Sequence, residues 1–270
     1  MPLTTLSSRQ AVDMRIDGTS YADATGRVMD WARRGESRSI CVATVHMVME
    51  SHDNPEFREV VNGADLVTPD GMPLVWALRL QGVGGATRVY GPHLTLHVLE
   101  AAQREGIPVG FYGGSPAVLR ALLDEVARRF PAVKVAYAFA PPFRPLNAEE
   151  DSRIVDEMER SGARILFVGI GCPKQERWMS EHRGRVRAVM LGVGAAFDFI
   201  AGAKPQAPLW MQNHGLEWLF RLICEPRRLG WRYLKHNPRF VGLMIVQLLR
   251  DRTAMARRGL ARGQARRQSS

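Results

Sequence analysis

Short runs of apolar residues recur along the first 200 residues, separated by segments whose apolar positions follow a helical period. The runs are too short for helices and mostly too continuous for half-exposed strands, so they predict strands buried on both faces of a sheet. The predicted strands span residues 39–44, 66–68, 107–112, 133–139, 165–168 and 188–191. Strands that alternate with amphipathic helices are typical of a parallel sheet covered on both faces. The pattern therefore predicts an α/β fold with a Rossmann-like parallel sheet.

Three of the predicted strands end in a glycine turn that leads into a predicted helix: Gly113-Gly114, Gly169-Ile170-Gly171 and Gly192-Val193-Gly194. A helix N-terminus after such a turn offers unpaired N–H groups to an anion, and ligands bind beyond the carboxyl ends of parallel strands. A phosphate-bearing ligand is therefore favoured, with nucleotide-binding positions at Gly169, Gly171, Gly192 and Gly194. No turn has the spaced glycines of a dinucleotide fingerprint, which favours a mononucleotide. Similar turns also occur in parallel sheets that bind nothing.

Asp70 is the first catalytic candidate, because of where it stands in the chain. It follows the predicted strand 66–68, in the segment Pro69-Asp70-Gly71-Met72-Pro73. The two prolines restrict the loop, and Gly71 permits close approach of a ligand. A carboxylate held rigidly at a strand end is suited to general base catalysis. The alternative is a turn aspartate that only caps the next helix.

From residue 208 the alternation stops, and Trp, Leu and Arg residues are interleaved without a recognisable strand. Residues 201–270 carry 14 Lys and Arg against 3 Asp and Glu, so essentially all of the net charge of +10 lies there. Such a segment favours contact with phosphates of nucleic acid or of an anionic membrane, although a solvated helix surface has the same composition. We predict an N-terminal tail (1–15), an α/β core (16–205), a basic helical membrane-associating appendage (206–250) and a disordered basic tail (251–270).

Several classes of protein and site are disfavoured. The three cysteines are widely spaced, which indicates neither a disulfide framework nor a zinc site and favours a reducing compartment. The N-terminus lacks an apolar signal segment, and the apolar run 240–249 is shorter than the about twenty residues needed to cross a bilayer. No metal-ligand or cofactor motif is recognisable, so we expect neither metal nor cofactor. Among the histidines only His46, at a strand end, is a site candidate.

An ordered set of motifs within residues 15–240 closely resembles the WecG/TagA/CpsF glycosyltransferases. The motifs are Thr44, Thr68-Pro69-Asp70-Gly71-Met72-Pro73, Arg88-Val89-Tyr90-Gly91-Pro92, Gly169-Ile170-Gly171-Cys172-Pro173-Lys174-Gln175-Glu176, Gly192-Val193-Gly194-Ala195-Ala196-Phe197-Asp198 and Gly215-Leu216-Glu217-Trp218-Leu219-Phe220-Arg221. Two positions depart from the family pattern: His46 stands where Asn is common, and Gln206 stands where Arg is frequent.

The resemblance implies an inverting, metal-independent transferase that moves N-acetylmannosamine or a related hexose from a UDP-sugar to a polyprenyl-diphosphate-linked glycan. It implies peripheral association with the anionic cytoplasmic face of the cell membrane, no nucleic-acid partner, and leaves a homo-oligomer open. By resemblance, Asp70 is the base and Thr44 the second catalytic residue. The resemblance further implies a nucleotide contact at Asp198 and substrate contacts at His46, Arg88, Gln175, Arg221 and Arg228, of which Arg221 and Arg228 meet the diphosphate.

Two other function classes stay open. The first is a nucleic-acid-binding protein that uses the basic C-terminus, which would bind duplex DNA rather than liposomes. The second is a nucleotide-sugar-modifying enzyme, such as an epimerase, that acts on a soluble substrate. Such an enzyme would not need the basic appendage, so a chain ending near residue 205 would keep full activity.

Overall fold

A computed structural model describes residues 5–268, with side chains described through residue 251 and at residue 253. Its main sheet has six strands in the order β4-β3-β8-β7-β5-β6, and every neighbouring pair is parallel. These are β3 (Arg38–Ala43), β4 (Leu66–Pro69), β5 (Val109–Gly113), β6 (Val135–Phe139), β7 (Ile165–Gly169) and β8 (Val189–Gly192). All six predicted strands and the predicted α/β class are confirmed.

Helices connect the strands and cover the sheet on both faces. They are α1 (Tyr21–Arg34), α2 (Val45–Asp53), α3 (Pro55–Asn62), α4 (Met72–Leu80), α5 (Gly91–Glu105), α6 (Pro116–Arg129), α7 (Ala148–Ser161), α8 (Lys174–Glu181) and α9 (Ala196–Ile200). Successive side chains of a strand point to opposite faces, so a continuous apolar strand feeds two separate cores. In β3, Ile40 and Val42 pack with α1, α5, α6 and α9, whereas Cys41 and Ala43 pack with α2, α3, α4, α7 and α8.

Local capping explains where several helices begin and end. The Ser20 side chain accepts a hydrogen bond from the backbone N–H of Asp23 at the start of α1, and Gly35 ends that helix with a φ of 64°. Asn147 and Glu150 form both hydrogen bonds of a capping box at the start of α7. These bonds satisfy backbone groups that a helix end leaves without partners.

The N-terminal segment 1–15 was wrongly predicted to be a tail. Within it begins an antiparallel hairpin of β1 (Ser7–Ala11) and β2 (Met14–Gly18), which buries Met14 and Ile16. The Asp17 carboxylate accepts a hydrogen bond of 2.8 Å from the backbone N–H of Val67, which ties the hairpin to β4. The sequence hides this hairpin because β1 is almost entirely polar and gives no periodic apolar signal.

The C-terminal segment is helical, as predicted, but it is not a loosely attached unit. It consists of α10 (Leu209–Asn213), α11 (Glu217–Cys224) and α12 (Pro226–Gln268). Phe240 and Met244 of α12 enter the core beneath α2, and the Gln247 side chain bonds to the backbone of Val12 and Gln10, at 2.8 Å each. Arg239 pairs with Asp53 through contacts of 2.6 and 2.9 Å.

Helix α12 also extends into the segment for which disorder was predicted, since it runs to Gln268. Residues 251–268 are rich in Arg and Ala, which have high helix propensity. No helix in the described part of the chain is both long enough and apolar enough to cross a bilayer.

Candidate active site

A cavity of about 970 Å³ opens at the carboxyl-terminal edge of the sheet, between the strand ends and helices α10 to α12. This is the edge where parallel α/β sheets bind ligands, because the loops that follow several strands converge there. Ten of the residues assigned to the site from the sequence line this cavity: Thr44, His46, Asp70, Arg88, Gly171, Gln175, Gly192, Gly194, Arg221 and Arg228. The topology therefore brings together side chains that are up to 184 positions apart, from Thr44 to Arg228.

Asp70 lies at the end of β4, and its backbone N–H donates a 2.9 Å hydrogen bond to the carbonyl of Ala43 at the end of β3. This bond holds the Asp70 loop against the neighbouring strand. The side chain is only 17% exposed, and its buried Oδ1 has no hydrogen-bond partner. An unpartnered carboxylate oxygen on a cavity wall is free to accept a proton or a hydrogen bond from a ligand.

Arg88 connects the Asp70 loop to the C-terminal helices. Its Nε donates a 2.5 Å hydrogen bond to the Asp70 carbonyl, and its Nη2 lies 3.6 Å from Asp70 Oδ1. The same guanidinium donates to Gln212 of α10 at 3.3 Å and pairs closely with Glu217 of α11. Its central carbon lies 4.2 Å from the centroid of the Tyr90 ring. One cation thus holds both walls of the cavity.

The surroundings of Asp70 set its proton affinity. Burial raises the pKa of Asp70 to about 7, the Arg88 charge opposes the rise, and the Glu217 carboxylate adds to it. A carboxyl group with a pKa near the working pH is present in both protonation states, which is the condition for efficient general base catalysis. Glu217 was not predicted as a site residue, although it is one of only three acidic residues in the strongly basic segment 201–270 and lies in the motif Gly215–Arg221.

Thr44 and His46 stand where β3 passes into α2. The Thr44 hydroxyl oxygen caps α2 by accepting a 3.4 Å hydrogen bond from the N–H of Met47, and Thr44 lines the cavity. His46, in the first turn of α2, is partly buried. Burial, together with the nearby Arg232 charge, lowers the pKa of His46 to about 4, so its ring is uncharged at neutral pH.

Gln175 packs against the glycine turn that follows β8. Its side-chain oxygen accepts from the N–H of Gly171 at 3.2 Å, and its side-chain nitrogen donates to Glu176 at 2.7 Å. A Cβ atom at Gly192 would lie 3.1 Å from the Gln175 amide nitrogen, and Gly194 has a φ of +53°. The glycines therefore leave room for the amide and allow the turn. Burial raises the pKa of Glu176, which supports Gln175, to about 7.

Two residues predicted as nucleotide contacts do not line the cavity. A Cβ atom at Gly169 would lie 2.7 Å from the Phe197 ring, so this glycine is required by packing beneath the cavity. Asp198 lies 3.9 Å from the ammonium group of Lys204 on the far side of the turn. Gly169 and Gly171 belong to the same glycine turn, and the sequence gives no reason to assign them different roles. The structure distinguishes them, because the Phe197 ring packs against Gly169 and not against Gly171.

The wall formed by α11 and α12 supplies positive charge. Arg221 lies 5.4 Å from the centroid of Phe199, Arg232 has a buried Nε without a hydrogen-bond partner, and burial lowers the pKa of Arg232. Among the described residues neither has a carboxylate within 4.0 Å, whereas Arg228 pairs with Glu225. Cations without acidic partners at a cavity wall are suited to bind an anionic ligand.

We expect direct measurement to find the Asp70 pKa at about 7, read from the side-chain carbonyl shift in a ¹³C NMR titration. Glu217→Gln should lower this pKa, because a neighbouring negative charge is lost and Arg88 is left to Asp70. Glu225→Gln is the matched control, since Glu225 pairs with Arg228 and Lys204 instead. An Asp70 pKa near the ordinary value of about 3.9, or no response to Glu217→Gln, would contradict this description.

Comparison with known proteins identifies the family. Residues 9–254 match the model of the Glycosyl transferase WecG/TagA/CpsF family. Over 203 residues the chain is 29% identical to N-acetylglucosaminyldiphosphoundecaprenol N-acetyl-beta-D-mannosaminyltransferase of Bacillus spizizenii, with 75% of this chain and 76% of that protein covered. The family match extends from β1 into α12 and includes every residue that lines the cavity. The chain therefore belongs to the WecG/TagA/CpsF family and is a glycosyltransferase.

Proposed function

We propose that this glycosyltransferase moves an N-acetylmannosamine-type hexose from a UDP-sugar to a polyprenyl-diphosphate-linked sugar, with inversion and without a metal ion in the transfer step. The observation that carries the proposal is the Asp70 carboxylate, whose Oδ1 has no hydrogen bond and lies 3.6 Å from Arg88 on the cavity wall. Arg221 and Arg232 line the same cavity and have no carboxylate partner among the described residues. The similarity to an enzyme named for transfer to a lipid-diphosphate-linked N-acetylglucosamine supports the choice of acceptor.

In the proposed step, the acceptor hydroxyl gives its proton to Asp70 while its oxygen attacks the anomeric carbon of the donor sugar. The bond between that carbon and the donor diphosphate breaks, and UDP leaves with the electron pair. A single displacement of this kind inverts the anomeric configuration. It requires one base and a means of stabilising the negative charge that develops on the leaving diphosphate.

Arginine side chains are placed to stabilise that charge. Arg221 and Arg232 line the cavity without acidic partners, and Arg228 lines it at the exposed rim. The cavity wall has two carboxylates among the described residues, Asp70 and Glu217, and both face Arg88. A divalent ion held against a diphosphate needs carboxylate or similar oxygen ligands, so this arrangement favours charge neutralisation by arginine.

Helix α12 has a second apolar face that is exposed. Its residues recur at three- and four-residue spacing and include Trp231, Leu234, Val241, Ile245 and Leu249. The neighbouring face of the helix carries Phe240 and Met244 into the core. An exposed apolar stripe beside basic side chains is typical of a helix that lies in a membrane interface. This supports peripheral binding to an anionic membrane, where a polyprenyl acceptor resides, more than binding to nucleic acid.

The proposal is tested by offering a panel of UDP-hexoses with a short-chain polyprenyl-diphosphate-N-acetylglucosamine acceptor in excess EDTA. We expect transfer from UDP-N-acetylmannosamine, with a product of inverted anomeric configuration by NMR, because arginines rather than a metal neutralise the leaving group. Absence of transfer from every UDP-hexose would refute the donor class. Activity that is lost in EDTA and restored by Mg²⁺ or Mn²⁺ would refute the metal-free step.

Asp70→Asn should lower turnover by roughly a hundredfold or more, because the amide keeps the shape of the side chain but cannot accept the acceptor's proton. Donor binding and thermal stability should change little. Asp124→Asn on the exposed side of α6 is the matched control and should retain full turnover. Near-normal turnover of Asp70→Asn would remove Asp70 as the base.

Arg221→Ala should cost about 3 kcal/mol of transition-state stabilisation, roughly a hundredfold in kcat/KM, if Arg221 meets the diphosphate. A water-soluble acceptor should be used, so that any loss of membrane binding does not contribute. The control is Arg227→Ala, because Arg227 lies in the same segment, is exposed and does not line the cavity.

Equal kcat/KM for Arg221→Ala and Arg227→Ala would leave the C-terminal helices as a membrane anchor only. Point variants are preferable to truncation at residue 205, because removal of Phe240 and Met244 would open the core beneath α2.

A further inference from the structure

Three potential metal ligands meet at the contact between α2 and α12. His46 and Glu50 lie one helical turn apart on α2, and His236 faces them from α12. Glu50 Oε1 is 3.8 Å from His46 Nδ1 and also 3.8 Å from His236 Nε2, and the three ligand atoms lie within 4.8 Å of one another. Sequence spacing could not reveal this group, because 186 positions separate Glu50 from His236.

The imidazoles of this cluster are buried without the partners that such groups normally have. His236 is only 4% exposed, and neither its Nδ1 nor His46 Nδ1 has a hydrogen-bond partner. The contacts to Glu50 are longer than hydrogen bonds. A buried polar atom that has no partner needs an explanation. An ion between Glu50, His46 Nδ1 and His236 Nε2 would satisfy the orphaned nitrogen of His46.

The ligand set fits a transition-metal ion of the zinc type. Two imidazoles and one carboxylate are a known three-ligand zinc set, and bonds of about 2.1 Å would place ligand atoms about 3.4 Å apart in a tetrahedral site. Glu50 lies 3.8 Å from each histidine, and no pair of ligand atoms is more than 4.8 Å apart, so side-chain shifts of up to about an ångström would close the site. Mg²⁺ and Ca²⁺ prefer oxygen ligands and would be disfavoured here.

Some charged residues near the cluster would oppose the binding of a cation, and one would favour it. Arg232 and Lys235 lie close enough to affect His46, and their positive charge opposes a bound cation. Glu50 offsets one positive charge, and the uncharged state of His46 leaves a ring nitrogen free to ligate. We therefore expect a weaker affinity than that of closed four-ligand zinc sites.

We propose that His46, Glu50 and His236 bind one divalent transition-metal ion of the zinc type, which fastens α12 to α2. His46 and His236 also line the active-site cavity. Among the described residues, however, none of the three ligands has a hydrogen bond or ion pair with Asp70 or Arg88, so the ion would take no part in the proposed proton transfer. Its effect would be mechanical: an ion shared between the two helices would hold the C-terminal wall of the cavity in place. The proposal does not depend on the donor or the acceptor.

The test is a Zn²⁺ titration of the full chain by calorimetry, after removal of any histidine tag and of bound metal. Cys224 is exposed and binds zinc readily as a thiolate, so the experiment uses a Cys224→Ser background. We expect one equivalent of Zn²⁺ to bind and Mg²⁺ not to compete. Co²⁺ should bind in the same place without a thiolate charge-transfer band, because Cys172 is not among the ligands.

Glu50→Gln and His236→Ala should each weaken Zn²⁺ binding by at least about tenfold, since even loss of an outer-sphere partner has an effect of that size. His214→Ala is the matched control, because His214 is exposed on the C-terminal segment away from the cluster. Circular dichroism establishes that the variants fold. Absence of saturable Zn²⁺ binding to the parent chain, or equal binding by the parent chain and both ligand variants, would overturn the site.

Amide hydrogen exchange tests whether the ion fastens α12. If Zn²⁺ binds only when α12 is docked, exchange around Phe240 should slow by up to about a hundredfold at a Zn²⁺ concentration of 100 times Kd, with α6 unchanged as the internal reference. Zinc binding that leaves exchange in α12 unchanged would overturn the fastening role. Loss of the effect in Glu50→Gln but not in His214→Ala would support it.

Discussion

The rest of the site depends on the hydrogen bonds and ion pairs of the Arg88 guanidinium. It bonds to the backbone of the Asp70 loop and to Gln212 and Glu217 of the C-terminal helices, so it joins the sheet to the segment that covers it. Without this cation, Asp70 and Glu217 would be two carboxylates facing each other in a partly buried space. Such pairs share their protonation, and one of them is held neutral. With Arg88 between the two carboxylates, the pKa of Asp70 is about 7, so its protonated and ionised forms are both present near neutral pH.

The cavity combines a rigid floor with a wall that carries charge. Parallel strands with buried faces fix the positions of Thr44, Asp70 and the glycine turns, because each strand is packed on both sides. The C-terminal helices bring arginines to the other side. Several polar atoms without partners gather on this surface, among them Asp70 Oδ1, Arg232 Nε and His46 Nδ1. A ligand in the cavity could satisfy these groups, as expected of a binding site that forms before its ligand arrives.

Helix α12 presents two different apolar faces, one buried and one exposed. One face extends the core and places His236 against α2, and the other leaves a stripe of tryptophan and aliphatic side chains exposed. Docking by the inner face positions the arginines at the cavity. Contact of the outer face with a membrane would bring that same cavity close to lipid-linked substrate. The same helix would therefore both complete the wall of the cavity and hold the enzyme at the membrane.

The sequence by itself determined the six strands, the α/β class, the helical C-terminus, the glycine turns and the position of Asp70, because periodicity and turn residues act locally. Five further cavity residues followed only from the resemblance of sequence motifs to a known family: Thr44, Arg88, Gln175, Arg221 and Arg228. It did not reveal the β1–β2 hairpin, whose polar first strand is held by contacts with distant residues such as Val67. Tertiary structure alone placed Gly169 under Phe197, brought Glu217 to Asp70 and set His236 beside Glu50. These outcomes depend on which elements meet in space, and the proton affinity of a buried group depends on neighbours that lie far away along the chain.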